Sequence, residues 1–236
     1  MSPAPTRAEP ASGTAPTAVE RRTAVLMLAL TFSTGIVDAT GYVGLDRVFT
    51  GNMTGNVVIL GMALVGGDHL PVVGPLIALA GFALGAVGGG RALRAAGSGW
   101  RARSTAVFGV VGLLLAAIAA LAAITAGGGS GPGAQYAITA LLGLAMGGQA
   151  ASARQIGVKD VTTVVVTSTL TGLFADSPLG GRVAQPWVRR AVAVALIALG
   201  AVVGAACVHL QLWTGPALAA AITLAVASYG HRAAAV

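Results

Sequence analysis

Charged residues are scarce in this sequence, and their scarcity decides the class of protein. Only 9% of the 236 residues are Asp, Glu, Lys or Arg, whereas 56% are hydrophobic. A soluble domain carries about 25% charged residues, so this chain has too few to cover a surface in water. The apolar runs are long and continuous, which disfavours a membrane β-barrel with its alternating pattern. The sequence therefore predicts an all-α polytopic membrane protein.

Residues that hold metals or form disulfides are also scarce. Cys207 is the single cysteine, so an intrachain disulfide is excluded. The three histidines are far apart, and the sequence contains no zinc-binding spacing and no phosphate-binding loop. No catalytic set of residues is recognisable either. We therefore expect no metal, no cofactor and no enzymatic activity.

Positive charge exceeds negative charge, with a net charge of +7. In a soluble protein this excess would raise the question of nucleic acid. Here the arginines lie between apolar runs, which is typical of residues that orient a membrane protein. We expect the lipid bilayer as partner and no nucleic acid. A small-molecule or ion substrate and a homo-oligomer are both compatible with the sequence.

Eight apolar segments follow a polar N-terminal stretch. They cover residues 23–45, 49–67, 71–90, 104–126, 133–153, 161–176, 188–208 and 212–230. Residues 1–22 are rich in Pro, Ala, Ser and Thr, which predicts a disordered cytoplasmic tail. No cleavage site follows a short apolar core, so we interpret the first segment as a retained span of one transmembrane domain, 23–232.

Two of these segments, 49–67 and 161–176, are short and polar for a span of about 20 residues. If all eight segments crossed the membrane, either orientation would put several arginines outside. If these two enter and return on the same side, Arg47 alone is left outside. We therefore predict six crossing helices plus two re-entrant or broken helices, with both termini cytoplasmic, in the bacterial inner membrane.

This arrangement divides the chain into halves of about 23–126 and 133–232. Each half has three crossings, so the second would be inverted relative to the first, as in many transporters. The second half also contains a weaker copy of the polar segment of the first. Thr50-Gly51 and Thr54-Gly55 match Thr167-Ser168 and Thr171-Gly172 at a common offset.

The candidate site residues are polar groups predicted to lie at membrane depth. They are Asp38, Asn52, Thr54, Asn56, Gln149, Thr167 and Thr171. On a helix Asn52 and Asn56 would share a face, either lining a path for a solute or forming hydrogen bonds between helices. Intramembrane acids are commonly functional. Asp38 could bind a proton or cation, pair with Arg47, or reach water at the interface.

Several of these residues carry a resemblance to a known family. The motif Gly35-Ile-Val-Asp38-Ala, followed by Phe49-Thr50 and Met53-Thr54-Gly55-Asn56, resembles the YoaK family of bacterial membrane proteins, domain of unknown function 1275. Gly148-Gln149 and Leu170-Thr171-Gly172 resemble its second half. The family pattern has Asn after the Gln, where this chain has Ala150. The role of an amide at position 150 is therefore not carried over to this chain. The resemblance implies a fold and a membrane location, but no activity.

We therefore expect an uncharacterised membrane protein that transports a small solute or ion through a polar site between two half-helices. The alternative is a membrane scaffold or a subunit of a larger complex. Transport requires a polar cavity at Asp38, whereas a scaffold predicts a dry, packed centre.

Overall fold

The computed structural model describes residues 17–66, 69–95, 97–126, 131–157, 166–181 and 187–234. These ranges contain eight α-helices and no strand, which confirms the all-α class. The helices are α1 (Ala18–Gly44), α2 (Met53–Leu64), α3 (Val73–Leu93), α4 (Ala102–Ala126), α5 (Pro132–Ile156), α6 (Val166–Ala175), α7 (Trp187–Leu210) and α8 (Thr214–Ala234).

The helices differ in their ability to span a bilayer. Within the described residues, α1, α3, α4 and α7 are long and apolar enough to cross one. With 25 and 21 residues, α5 and α8 are of similar length but are not among these four. With 12 and 10 residues, α2 and α6 extend about 18 and 15 Å at about 1.5 Å per residue, short of a core about 30 Å thick.

The first helix begins before the predicted end of the tail. Thr17 and Glu20 form a capping box, in which each side chain accepts a hydrogen bond from the other's backbone N–H. Because this cap fixes the start of α1 at Ala18, residues 18–22 are helical. The rest of the predicted tail lies outside the described residues.

Glycine contacts join the helices in two parallel pairs. A Cβ at Gly200 or Gly204 of α7 would collide with the carbonyl oxygens of Phe32 and Ile36 of α1. Likewise, a Cβ at Gly143 of α5 would lie 2.7 Å from the carbonyl oxygen of Ala78 in α3. Backbones approach this closely only where no side chain intervenes. Gly147 of α5 likewise meets Phe82 of α3, one turn after the contact of Gly143 with Ala78. In both pairs the residue numbers of the contacting residues rise together, so the two helices of each pair are parallel.

The remaining contacts are antiparallel and fix the direction of every long helix. Gly215 at the start of α8 contacts Thr40 near the end of α1, and Gly112 of α4 contacts Leu224 of α8. Val111 of α4 packs against Gly148 of α5. It follows that α1, α4 and α7 run in one direction and that α3, α5 and α8 run in the other.

These directions restrict the two short helices. Because α1 and α3 are antiparallel, the connection that contains α2 leaves and rejoins the bundle at the same end. Val48 and Gly74, which lie on either side of α2, are in direct contact, as this requires. The same reasoning applies to α6, which lies between the antiparallel helices α5 and α7.

Arginines collect at one end of the bundle. This end holds the starts of α1, α4 and α7 and the ends of α3, α5 and α8. Its described arginines are Arg21, Arg22, Arg91, Arg94, Arg101, Arg103, Arg154, Arg189, Arg190 and Arg232. Among the described residues, Arg47 is the one arginine at the opposite end.

Candidate functional site

The carboxylate of Asp38 anchors the chain where α2 begins. Its Oδ1 accepts hydrogen bonds from the backbone N–H groups of Thr50, Gly51 and Asn52 at 2.9, 2.6 and 3.3 Å. These N–H groups belong to residues that precede α2, and successive N–H groups that converge on one point form a site for a negatively charged oxygen. Asp38 therefore fixes the segment that leads into α2, whose N-cap residue, Asn52, makes no side-chain capping bond.

The second carboxylate oxygen has a different environment. Within the described residues, Oδ2 of Asp38 has no hydrogen-bond partner. It is also not among the fully buried side-chain atoms that lack one, so it keeps some accessible surface. Asp38 lines a cavity of about 460 Å³. The acid thus holds the backbone with one oxygen and leaves the other accessible.

The cavity lies where α1, the start of α2, α6 and α7 come together. It is lined by Asp38, Tyr42, Phe49, Asn52, Thr54, Gly55, Val58, Ile59, Val166, Thr167 and Ile197. Tyr42 and Phe49 stack at a tilt of 31°, with ring centroids 4.9 Å apart. Tyr42, Asn52 and Thr54 are exposed, so the cavity opens to the surface on their side.

The first half contributes three of its predicted site residues to this cavity, Asp38, Asn52 and Thr54, and the second half contributes Thr167. The other three predicted residues do not line it. Thr171 is exposed and donates its hydroxyl to the carbonyl of Thr167.

Asn56 faces away from the cavity and holds the backbone. Its side chain is fully buried, its Oδ1 accepts from the N–H of Phe49 at 2.9 Å, and its Nδ2 donates to the carbonyl of the same residue at 2.6 Å. The prediction that Asn52 and Asn56 share a helix face was wrong. Asn52 precedes the first turn of α2 and is exposed, because Asp38 holds residues 50–52 outside the helix.

Gln149 lies at the contact between α5 and α1. It is fully buried and donates through Nε2 to the hydroxyl of Thr34 at 3.0 Å. In the described structure its Oε1 has no partner. This contact, rather than the cavity, is where the predicted second-half amide lies.

The alternative pairing of Asp38 with Arg47 does not occur. Within the described residues the carboxylate is bound by backbone N–H groups only, together with a long contact of 3.5 Å from the hydroxyl of Thr50. Arg47 adopts a positive φ of 53° in the turn after α1 and is exposed.

A buried arginine holds the second short helix in place. Nη1 of Arg190, on α7, donates to the carbonyl of Gly172 at 2.6 Å and to the carboxylate of Asp176 at 2.8 Å. A cation is favourable at the C-terminal end of a helix because of the orphan carbonyls there. The other end of α6, with Val166 and Thr167, is therefore the end that faces the cavity.

Sequence reasoning missed the aromatic and aliphatic wall of the cavity. Tyr42 and Ile197 look like ordinary residues of apolar helices, and nothing local marks them. Tyr42 lies one turn after Asp38, and this i, i+4 spacing puts both on one face of α1. That spacing is the one signal that could have identified it.

A bundle of apolar helices, with a surface-open cavity lined by an acid and several other polar groups, defines an α-helical membrane protein. Its sequence matches the family described as "Protein of unknown function (DUF1275)" over residues 26–229. Because this match covers most of the chain, the protein belongs to that family, as the YoaK resemblance predicted.

One curated relative gives the same assignment. The chain is 31% identical over 196 residues to the UPF0700 transmembrane protein YoaK of Bacillus subtilis (strain 168), an alignment that covers 79% of this chain and 83% of the relative. No solved structure matches the chain.

Proposed function

We propose that this protein transports a small solute or ion, and is not an enzyme, with its binding site in the cavity at Asp38. The observation that carries the proposal is the free Oδ2 of an acid in that cavity. A polar cavity at membrane depth is expensive to maintain and normally serves a solute. A scaffold or complex subunit would gain nothing from it.

We also propose that the fold is an inverted repeat of two halves. If each helix of α1–α4 is matched to its counterpart in α5–α8, the helix contacts of the two halves correspond. The contact of α1 with α7 corresponds to that of α5 with α3, and the contact of α1 with α8 corresponds to that of α5 with α4. The contact of α2 with α3 becomes that of α6 with α7, and α4 with α8 maps onto itself. Corresponding helices also run in opposite directions, as inversion requires.

In this arrangement six helices cross the membrane and the two short ones enter from opposite faces. The arginine-rich end would be cytoplasmic, because positively charged loops are retained there. Both termini then lie in the cytoplasm, with the bacterial inner membrane as location. The short helices would meet the cavity from opposite sides, which is how many transporters build a site near the bilayer midplane.

The first test asks whether water reaches the cavity. With Cys207→Ser as background, Thr54→Cys should react with a membrane-impermeant methanethiosulfonate in native membranes. Leu142→Cys is the matched control, because Leu142 is fully buried in the apolar core. Equal, negligible labelling of both cysteines would favour the dry centre of a scaffold.

The second test asks whether Asp38 supports flux. Asp38→Asn and the exposed control Asp46→Asn would be reconstituted in liposomes and compared with the parent by uptake of isotopically labelled ions and small polar solutes, which detects transport whether or not net charge moves. We expect uptake that persists in the control and disappears in Asp38→Asn. Identical responses of all three proteins to every solute would refute the proposal.

A further inference from the structure

We infer that the solute is a small organic cation, a protonated amine with an apolar part, and that it is exchanged for a proton at Oδ2 of Asp38. This inference rests on the proposed transport function and names its substrate class and coupling. It follows from which oxygen of the acid is free, what lines the cavity, and how large the cavity is.

The two oxygens of Asp38 are not equivalent. Oδ1 accepts three backbone N–H groups, and the shortest of these bonds, from Gly51, measures 2.6 Å. These donors occupy the lone-pair directions of Oδ1. A proton or a cationic donor therefore has one oxygen left to bind, Oδ2.

The lining favours a positive organic group over an anion or a metal ion. Among the eleven described lining residues, Asp38 is the one charged side chain, and none is histidine or cysteine. A lone carboxylate with scattered hydroxyls and one amide falls short of the six to eight oxygens that Ca²⁺ takes. Tyr42 and Phe49 present aromatic surface beside the acid, and aromatic faces attract cations.

Size and polarity define the rest of the solute. A volume of about 460 Å³ greatly exceeds what a bare ion requires and falls within the range of sites for organic molecules. Val58, Ile59, Val166 and Ile197 form an apolar wall. The ammonium end should therefore lie at Asp38 and the apolar part against this wall.

Occupation of a single oxygen by either partner leads to exchange. When the ammonium binds, the O–H bond at Oδ2 breaks and the proton leaves to the aqueous phase, so the ammonium pairs with a carboxylate. When the proton returns, the ion pair is lost and the amine is released. One proton is released for each cation bound. The proton and the organic cation cannot occupy Oδ2 at the same time, so they are not transported together.

The test uses phenethylamine, with 2-phenylethanol and phenylacetate as a neutral and an anionic analogue of similar shape. Binding to the full-length protein in detergent would be measured by titration calorimetry in two buffers of different ionisation enthalpy, which counts the protons released. In proteoliposomes, an outward proton gradient should drive uptake of the amine. Asp46→Asn is the control, and Tyr42→Leu tests the aromatic wall.

We expect the amine to bind at least tenfold more tightly than either analogue, with release of about one proton. Asp38→Asn should abolish both binding preference and uptake, whereas Asp46→Asn leaves them unchanged. Tyr42→Leu should weaken amine binding more than alcohol binding. Asp38-dependent flux of a neutral or anionic solute, without amine binding, would overturn this inference and leave the transport function standing. Absence of any Asp38-dependent flux would overturn both.

Discussion

Asn56 offers a direct test of which side chains in residues 50–56, TGNMTGN, stabilise the fold and which line the cavity. The structure has this amide bound to both backbone groups of Phe49, in a side chain with no exposed surface. We therefore expect Asn56→Ala to destabilise the fold. It should alter solute binding only as a consequence of that loss.

The magnitude follows from the groups that the substitution leaves unpaired. Removing the amide leaves the N–H and the carbonyl of Phe49 without partners, and each unsatisfied buried group costs about 1–3 kcal/mol. The pair sets a range of about 2–6 kcal/mol. Water can enter from the exposed side at Asn52, so we expect a value in the lower half of this range, about 2–4 kcal/mol.

Asn52→Ala is the matched control, because it removes the same kind of amide four residues earlier, from an exposed side chain that makes no capping bond. Surface changes of this kind usually stay within about 0.5 kcal/mol. Unfolding free energies would be measured in mixed micelles by titration with a denaturing detergent. If both variants lose equally little stability, the clamp assigned to Asn56 is incorrect.

Three further outcomes are expected. Gly55→Ala should lower the melting temperature, because its Cβ would lie 2.5 Å from an aromatic ring. Gly61→Ala, on the same helix, places its Cβ in open space and should raise the free energy of unfolding by up to about 1 kcal/mol. The reverse order of melting temperatures would contradict this. Gly147→Leu should prevent α3 and α5 from pairing and yield aggregated protein in size-exclusion chromatography. Gly88→Leu should elute as the parent does, because a Cβ at Gly88 would meet no neighbouring atom. Arg190→Gln should release the end of α6, seen as faster hydrogen–deuterium exchange there than in α2; unchanged exchange in α6 would exclude the anchoring role.

The sequence alone determined the class of protein and the positions of its helices. Hydropathy is a local property, so the eight predicted segments correspond to the eight helices within a few residues at most ends. The shortness of α2 and α6 was also readable, because length and composition decide whether a segment can cross a bilayer. Charge placement along the chain likewise anticipated that the arginines would gather at one end.

The tertiary structure decided which atoms each polar group meets. Asp38 lies on α1, yet its partners are N–H groups twelve to fourteen residues later, so the start of α2 depends on a contact that no local pattern encodes. This is why Asn52 and Asn56 point to different environments although they are four residues apart. Gln149 finds its partner 115 residues away, at Thr34.

The same distinction applies to the cavity itself. Its polar residues could be nominated from the sequence, because polar groups stand out in an apolar segment. Most of its wall could not, since Val58 and Ile197 differ from other apolar residues only in what the packing of α2 and α7 puts opposite them, and Tyr42 is marked only by its i, i+4 spacing from Asp38. Composition fixes what a helix can bury, whereas the close glycine contacts between helices fix where space is left.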